Sequence, residues 1–240
     1  DRPKLSKLTA TVLTEGQDLS TPQGLTDTDV SITPLEAGVQ VVVTDRMLTR
    51  APKGFDAMVA EEMSRAYKEL LNTDLNGLFS GFSNGLSAAG AALTLLNVGA
   101  GRARVMGNSE PGPPPLFVVL HPFQAWDVYS ALVATSSGVA SDSIFGVSAD
   151  VVKEYMISRL WGMGWFEDGT ISVDGSDDAY GAVFSKEALM LFIIDEGTMR
   201  RQRDESLRAE ELNYVGEYGF GEWVDTYGYN ILTDASAPTT

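Results

Sequence analysis

The run Gly81-Phe82-Ser83-Asn84-Gly85 has the G-x-S-x-G spacing that lifts a serine hydroxyl onto a strained turn for acyl transfer. That chemistry needs a strand before the serine, a helix after it, and an acid and a histidine further along. The only histidine is His121, and the only acid between Ser83 and His121 is Glu110, inside the Pro-rich stretch 107–115. The segment before Ser83 reads as a helix, so a Gly-rich helix end is the simpler account. A serine hydrolase acting through Ser83 stands as the alternative from the enzyme class. His121 lies where an apolar run meets a helix start, and a lone histidine there reads as a hydrogen-bonded turn residue. Asp168, Asp174, Asp177 and Asp178 could suggest Ca²⁺. The sixth position from Asp174 is Ala179 and the twelfth is Ser185, which fails the EF-hand pattern and leaves a solvated loop. There is no P-loop and no G-x-G-x-x-G, and carboxylate pairs for glycoside chemistry cannot be picked from 33 acids by spacing alone. Cysteine is absent, which excludes thiolate catalysis, disulfides and Cys-ligated metals. These residues assign no catalytic, cofactor-binding or metal position, and a non-enzymatic chain without cofactor is expected.

The balance of charge narrows the partners. A formal net charge of −16 over 240 residues argues against gripping phosphate backbones or anionic membranes. Hydrophobic residues make up 44% and charged residues 21%, enough to bury a core. No apolar run approaches the roughly 20 residues of a membrane span, and no basic segment followed by an apolar one suggests a signal peptide. A start at Asp1 rather than Met fits either a trimmed chain or a removed leading segment.

The elements that would position any site follow from periodicity. Residues 1–8 read as an extended arm, and residues 9–48 as a long hairpin with a mobile Pro/Gly/Thr/Asp middle at 20–29 and strands at Val30–Ile32 and Val39–Thr44. A hairpin this long has little core of its own. Residues 55–82 carry an apolar stripe at helical period, including Phe55, Val59, Met63, Tyr67, Leu71 and Phe79, with Asp56 as the expected N-cap. A short helix is expected over 88–98, a buried strand at Leu116–Leu120, and a helix started by Pro122 that buries Phe123, Trp126, Tyr129, Leu132 and Val133. Another helix is expected over Ser148–Trp161, short strands at Thr170–Val173 and Tyr180–Phe184, and a buried strand at Ala188–Ile194. Helices and strands mix without a strict βαβ repeat, so the class is α+β. The charge-dense stretch 195–211 then precedes a β-prone end, Tyr214–Leu232. In it Arg200, Arg201, Arg203 and Arg208 alternate with Asp204, Glu205, Glu210 and Glu211. The cluster reads either as a self-neutralising surface or as a patch whose guanidinium groups meet carboxylates of a second copy. Arg200, Arg201 and Arg203 are therefore the candidate subunit-contact residues.

This order of elements resembles the major capsid proteins of tailed double-stranded DNA bacteriophages, which have the Hong Kong 97-type capsid fold. The local matches are Val39-Gln40-Val41-Val42-Val43-Thr44-Asp45 before the long helix, Leu116 to Pro122 opening a helix, and Ala179 to Ala188 before a strand. The resemblance implies an N-terminal arm (1–8), an extended hairpin loop (9–48), a peripheral domain with a spine helix (49–85 and 195–240) and an axial domain (86–194). It implies a structural protein whose copies form pentamers and hexamers of an icosahedral shell around double-stranded DNA, in a virion capsid assembled in a host cytoplasm. Portal, scaffold or cement proteins would be further partners; DNA would be enclosed without specific binding, and no membrane is involved. Encapsulin nanocompartments share the fold and give an alternative cargo shell. Some relatives cross-link a hairpin Lys to a neighbour's Asn. This chain has no Lys between Lys7 and Lys53, so no such bond is expected.

Overall fold

The computed structural model describes residues 2–5, 7–10, 12, 15–16, 22–136 and 159–239. The longest helix among the described residues follows from the apolar stripe. Helix α2 (Phe55–Gly77) starts after Gly54, whose φ of 89° suits glycine, and runs into a 3₁₀ turn at Leu78–Gly81. Asp56 is not the N-cap. It sits inside the first turn, where an acid favours the helix dipole and reaches a cation on the neighbouring sheet. Met63 and Tyr67 are buried; Met58 and Leu70, on the same stripe, are 62% and 44% exposed. A fully buried side chain of the size of Met63 contributes about 1.5–3 kcal/mol.

The stripe packs on a three-stranded antiparallel sheet of β3 (Leu35–Thr44), β10 (Ala209–Glu222) and β9 (Leu189–Asp204), with β10 in the middle. Alternation puts Ala37 and Val43 of β3 and Leu212 and Tyr218 of β10 in the cores under α2. The Tyr218 hydroxyl donates to Asp74 Oδ2 at 2.6 Å, which ties the helix to the middle strand. The short helix α1 (Asp45–Arg50) follows β3 directly, capped by Thr44.

The charge-dense stretch 195–211, expected as a surface segment, is a β-hairpin. It hides from a search for alternating apolar residues because charge does the pairing: Arg203 stands opposite Glu210, and Arg201 reaches the same glutamate. Asp204 Oδ1 closes the turn by accepting from the backbone N of Ser206 at 2.8 Å and of Leu207 at 3.2 Å.

The N-terminal region departs from expectation. Strand β1 (Arg2–Leu5) pairs antiparallel with β2 (Asp27–Val30), from Arg2 opposite Val30 to Leu5 opposite Asp27. The expected arm is thus one limb of the hairpin, and part of the expected mobile loop is the other. Backbone pairing holds this ladder, so the polar residues Asp27, Thr28 and Asp29 gave no apolar signal. The link to β3 then crosses the far face of β10. A Cβ at Gly219 would come within 3.1 Å of Ile32 Cγ2, and one at Gly221 within 3.1 Å of Ile32 Cγ1. Two glycines therefore make the track in which Ile32 lies.

The second sheet has six strands in the order β4 (Gly85–Ala88), β11 (Gly228–Asp234), β8 (Asp178–Ser185), β5 (Leu116–Leu120), β7 (Met163–Glu167) and β6 (Arg159–Leu160). Strand β5 is covered on both faces. Leu116, Val118 and Leu120 enter the main core, and Val119 packs against a second cluster with Phe79 and Phe82. Helix α3 (Leu95–Met106) packs on β11 and β8, approaching closely at Gly101, where a Cβ would meet Tyr229 and Val183. It begins later than the helix expected over 88–98, because Gly90 is left-handed and Thr94 supplies the cap. Helix α4 (Pro122–Ser136) starts at Pro122 as expected but buries Gln124, Ala125 and Val128; Trp126 is 42% exposed. Leu132 and Val133, expected on its buried face, lie outside the described side chains.

Three further differences concern strands. Of the helix expected over Ser148–Trp161, residues 148–158 lie outside the described residues. Residues 159–160 form β6, joined to β7 by a two-residue turn, Trp161-Gly162, with φ of 48° and 79°. Val173 makes a single bridge to Ala179 rather than a strand. Strand β11, expected with the spine-helix part, lies between β4 and β8, because Tyr229 and Ile231 belong to the core under α3.

Candidate assembly surfaces

The three candidate arginines divide between the two faces of their sheet. Arg203 and Arg201 lie on the α2 side. Arg203 grips Asp45 with two parallel bonds, Nη1 to Oδ1 at 2.5 Å and Nη2 to Oδ2 at 2.8 Å, and approaches Glu205 at 3.4 Å. The Arg203 hydrogen bond is the largest influence holding the Asp45 carboxyl below the ordinary aspartate range. Arg201 bridges Asp56 at 3.3 Å and Glu210 at 3.7 Å. Both therefore have acid partners inside their own subunit. Arg200 points to the opposite face, where it makes no ion pair among the described residues. There it borders a cavity of about 300 Å³ together with Glu36, Asp195 and Glu217.

The residues with enzyme-like spacing are not brought together as an enzyme needs. Ser83 is exposed and sits between the 3₁₀ turn and β4, so the order is helix, turn, strand, the reverse of a nucleophile elbow. Its backbone N donates to Asp225 Oδ1 at 2.7 Å. His121 is buried at the β5–α4 junction, as a turn residue. Its Nδ1 accepts from the Phe123 N at 3.2 Å, and its own N donates to Gln124 Oε1 at 3.1 Å. This reciprocal pair caps α4. Burial lowers the His121 pKa, opposed by the charge of Asp168.

Gln124 had no sequence signal, yet it is fully buried and holds three elements. Besides serving His121, its Nε2 donates to Ala179 O on β8 and to Thr233 Oγ1 on β11, each at 2.8 Å.

The acid loop is held by its own backbone. Asp168 accepts from Thr170 N at 2.8 Å, and from Asn76 Nδ2 of α2 at 2.9 Å. Asp174 Oδ1 accepts from Ser176 N and Asp178 N, and Asp178 Oδ1 accepts from Gly90 N at 2.7 Å. Among the described residues no group of acids and histidine is placed to hold a metal ion.

Exposed apolar surface is what the sequence misplaced. The strand expected to be buried at Ala188–Ile194 forms the start of β9, an edge strand. Its Leu191, Phe192, Ile193 and Ile194 are 38%, 44%, 50% and 59% exposed. An apolar edge strand of this kind is a ready contact for another chain. Leu8, Val12 and Leu25, around the N-terminal hairpin, are also exposed. An apolar run looks the same in a central strand and at an edge, so only the topology distinguishes them.

No protein-family model matches the chain, and no curated protein matches its sequence. Solved structures do match. The head structure of Helicobacter pylori bacteriophage KHP40 superposes with a TM-score of 0.74 at 11% identity, covering 98% of this chain and 84% of that one. A structure of Mycobacterium phage Che8 gives 0.72 at 14% identity, covering 95% and 83%. An encapsulin complex from Synechococcus elongatus gives 0.55 at 13% identity, covering 90% and 80%. The fold is α+β and of the Hong Kong 97 type found in phage head shells.

Proposed function

We propose that this chain is a structural shell subunit, the major capsid protein of a tailed bacteriophage. Its copies form pentamers and hexamers of a closed icosahedral shell around double-stranded DNA. The observation that carries this reading is the superposition on a phage head structure over 98% of the chain. In this reading the β1–β2 hairpin is the extended loop, α2 the spine helix, and the six-stranded sheet the core of the axial domain. The three-stranded sheet under α2 forms the peripheral domain. The exposed run Leu191–Ile194 supplies apolar surface for contact between copies. Portal, scaffold and cement proteins are partners of the assembled virion rather than of the isolated subunit. A wall with a charge of −16 per copy repels DNA phosphates and lets the packed duplex lie without sticking.

A non-enzymatic role fits the reversed elbow at Ser83 and the capping role of His121. The test is negative-stain microscopy of the purified chain, followed by nuclease treatment of virions that carry it. Closed shells with nuclease-protected DNA are expected. Shells that enclose a protein cargo and no DNA would move the chain to the encapsulin reading. A small soluble species with esterase activity would refute both.

A further inference from the structure

The three-stranded sheet carries a row of like charge across its width. Glu217 on β10 stands opposite Glu36 on β3 and opposite Asp195 on β9. Like charges placed directly opposite on neighbouring strands are destabilising. All three border the same cavity of about 300 Å³. None of them makes an ion pair among the described residues, not even with Arg200 in the same wall. Gly216, next to the register shifts that flank Glu217, also borders it. Among the described residues the one hydrogen bond to these three carboxylates is local, from Gly197 N to Asp195 Oδ1 at 3.0 Å. Three carboxylates without an ion pair on one small cavity call for a cationic donor.

The chain carries such donors at the other end of the same sheet. Arg46, Arg50 and Lys53 fall within eight residues, with no acid between Asp45 and Asp56. None makes an ion pair among the described residues, and Arg50 and Lys53 are exposed. Along β3 the two ends are about 26 Å apart, from eight residues at ~3.3 Å each. One subunit cannot bring its own ends together over a rigid sheet, but a second copy placed head to tail can.

We propose that the Glu36–Glu217–Asp195 row receives the Arg50–Lys53 segment of a second copy. The inference rests on the shell reading and names one contact in it. Such a contact uses different surfaces on the two partners, and repetition about an axis closes a ring. It also assigns scarce cations of a strongly acidic chain to a place where like charges stand directly opposite one another.

The test compares shell yield by negative stain and sedimentation velocity with the melting temperature of the unassembled subunit. The neutral pair Glu36→Gln/Glu217→Gln removes repulsion within the subunit and the docking charge together. It should melt higher than wild type and assemble at least about tenfold less at low salt. The pair Arg50→Glu/Lys53→Glu should assemble equally poorly with an unchanged melting temperature. Adding Glu36→Lys/Glu217→Lys to that second pair reverses both surfaces and should restore shells. Wild-type yield from either double variant overturns the pairing while leaving the shell reading intact. A folded four-fold variant that does not regain shells overturns it as well. If the wild-type chain forms no ring or shell, the shell reading fails, and this contact fails with it.

Discussion

Replacing Gln124 by Leu tests whether one buried amide joins α4, β8 and β11. Gln124 is fully buried and makes bonds to His121 N, Ala179 O and Thr233 Oγ1. Leucine has a similar volume, so apolar contact changes little and the loss is one of hydrogen bonding. Each buried group left without a partner costs about 1–3 kcal/mol. The His121 N–H and the Thr233 hydroxyl are both orphaned, so the expected destabilisation is about 2–6 kcal/mol. For a chain of this length that is a fall of roughly 4–24 °C in melting temperature. Gln124→Glu sharpens the test through its pH dependence. A protonated carboxyl still donates to Thr233, whereas a carboxylate there faces the Ala179 carbonyl in a buried place. Its folded-state pKa is therefore raised. Its stability should be close to wild type at acid pH and be lost as pH rises through that raised value. Urea unfolding of both variants across pH gives the answer. Gln124→Leu within about 0.5 kcal/mol of wild type, a change expected of an ordinary surface position, would refute the argument.

Other expectations follow from the same structure. Leu71→Asp places a charge in the half-buried contact of α2 with Tyr67 and Tyr218, and should cost several kcal/mol; a soluble, assembly-competent variant would show that this stripe faces water. Burial lowers the His121 pKa below its ordinary 6.5. Its neutral form is therefore favoured in the fold, and its contribution, complete above pH 6.5, is lost as pH falls through the lower folded value. His121→Asn keeps an acceptor for Phe123 N and should flatten that part of the pH–stability curve; identical curves would count against it. Denatured shells on a reducing gel should give a single monomer band, since there is no cysteine and no Lys between Lys7 and Lys53; a ladder that survives boiling would contradict this.

What the sequence reveals here is what local periodicity can encode. The stripe of α2, the apolar run of β5 and Pro122 at the start of α4 are each set by neighbours within a few residues, and all three appear where expected. What it hides depends on partners far along the chain. β9 is exposed because it takes an edge. β11 joins the six-stranded sheet because β4 and β8 flank it. β2 exists because β1 comes back to it through backbone bonds. Two of the three candidate arginines turned out to have partners at home, and α1 and α2, which supply Asp45 and Asp56, lie about 150 residues earlier in the chain. Gln124 is a single polar letter whose meaning appears only when three elements meet around it.

The seating of Ile32 on Gly219 and Gly221 has a mechanical consequence. The segment after β2 is held twice, by the covalent chain into β3 and by this glycine track on the middle strand of the three-stranded sheet. The track lies a few residues before Trp223 N and Val224 N, which both donate to Ala188 O. A Cβ added at either glycine would come within 3.1 Å of Ile32, so Ile32 would have to shift by a few tenths of an ångström to keep both holds.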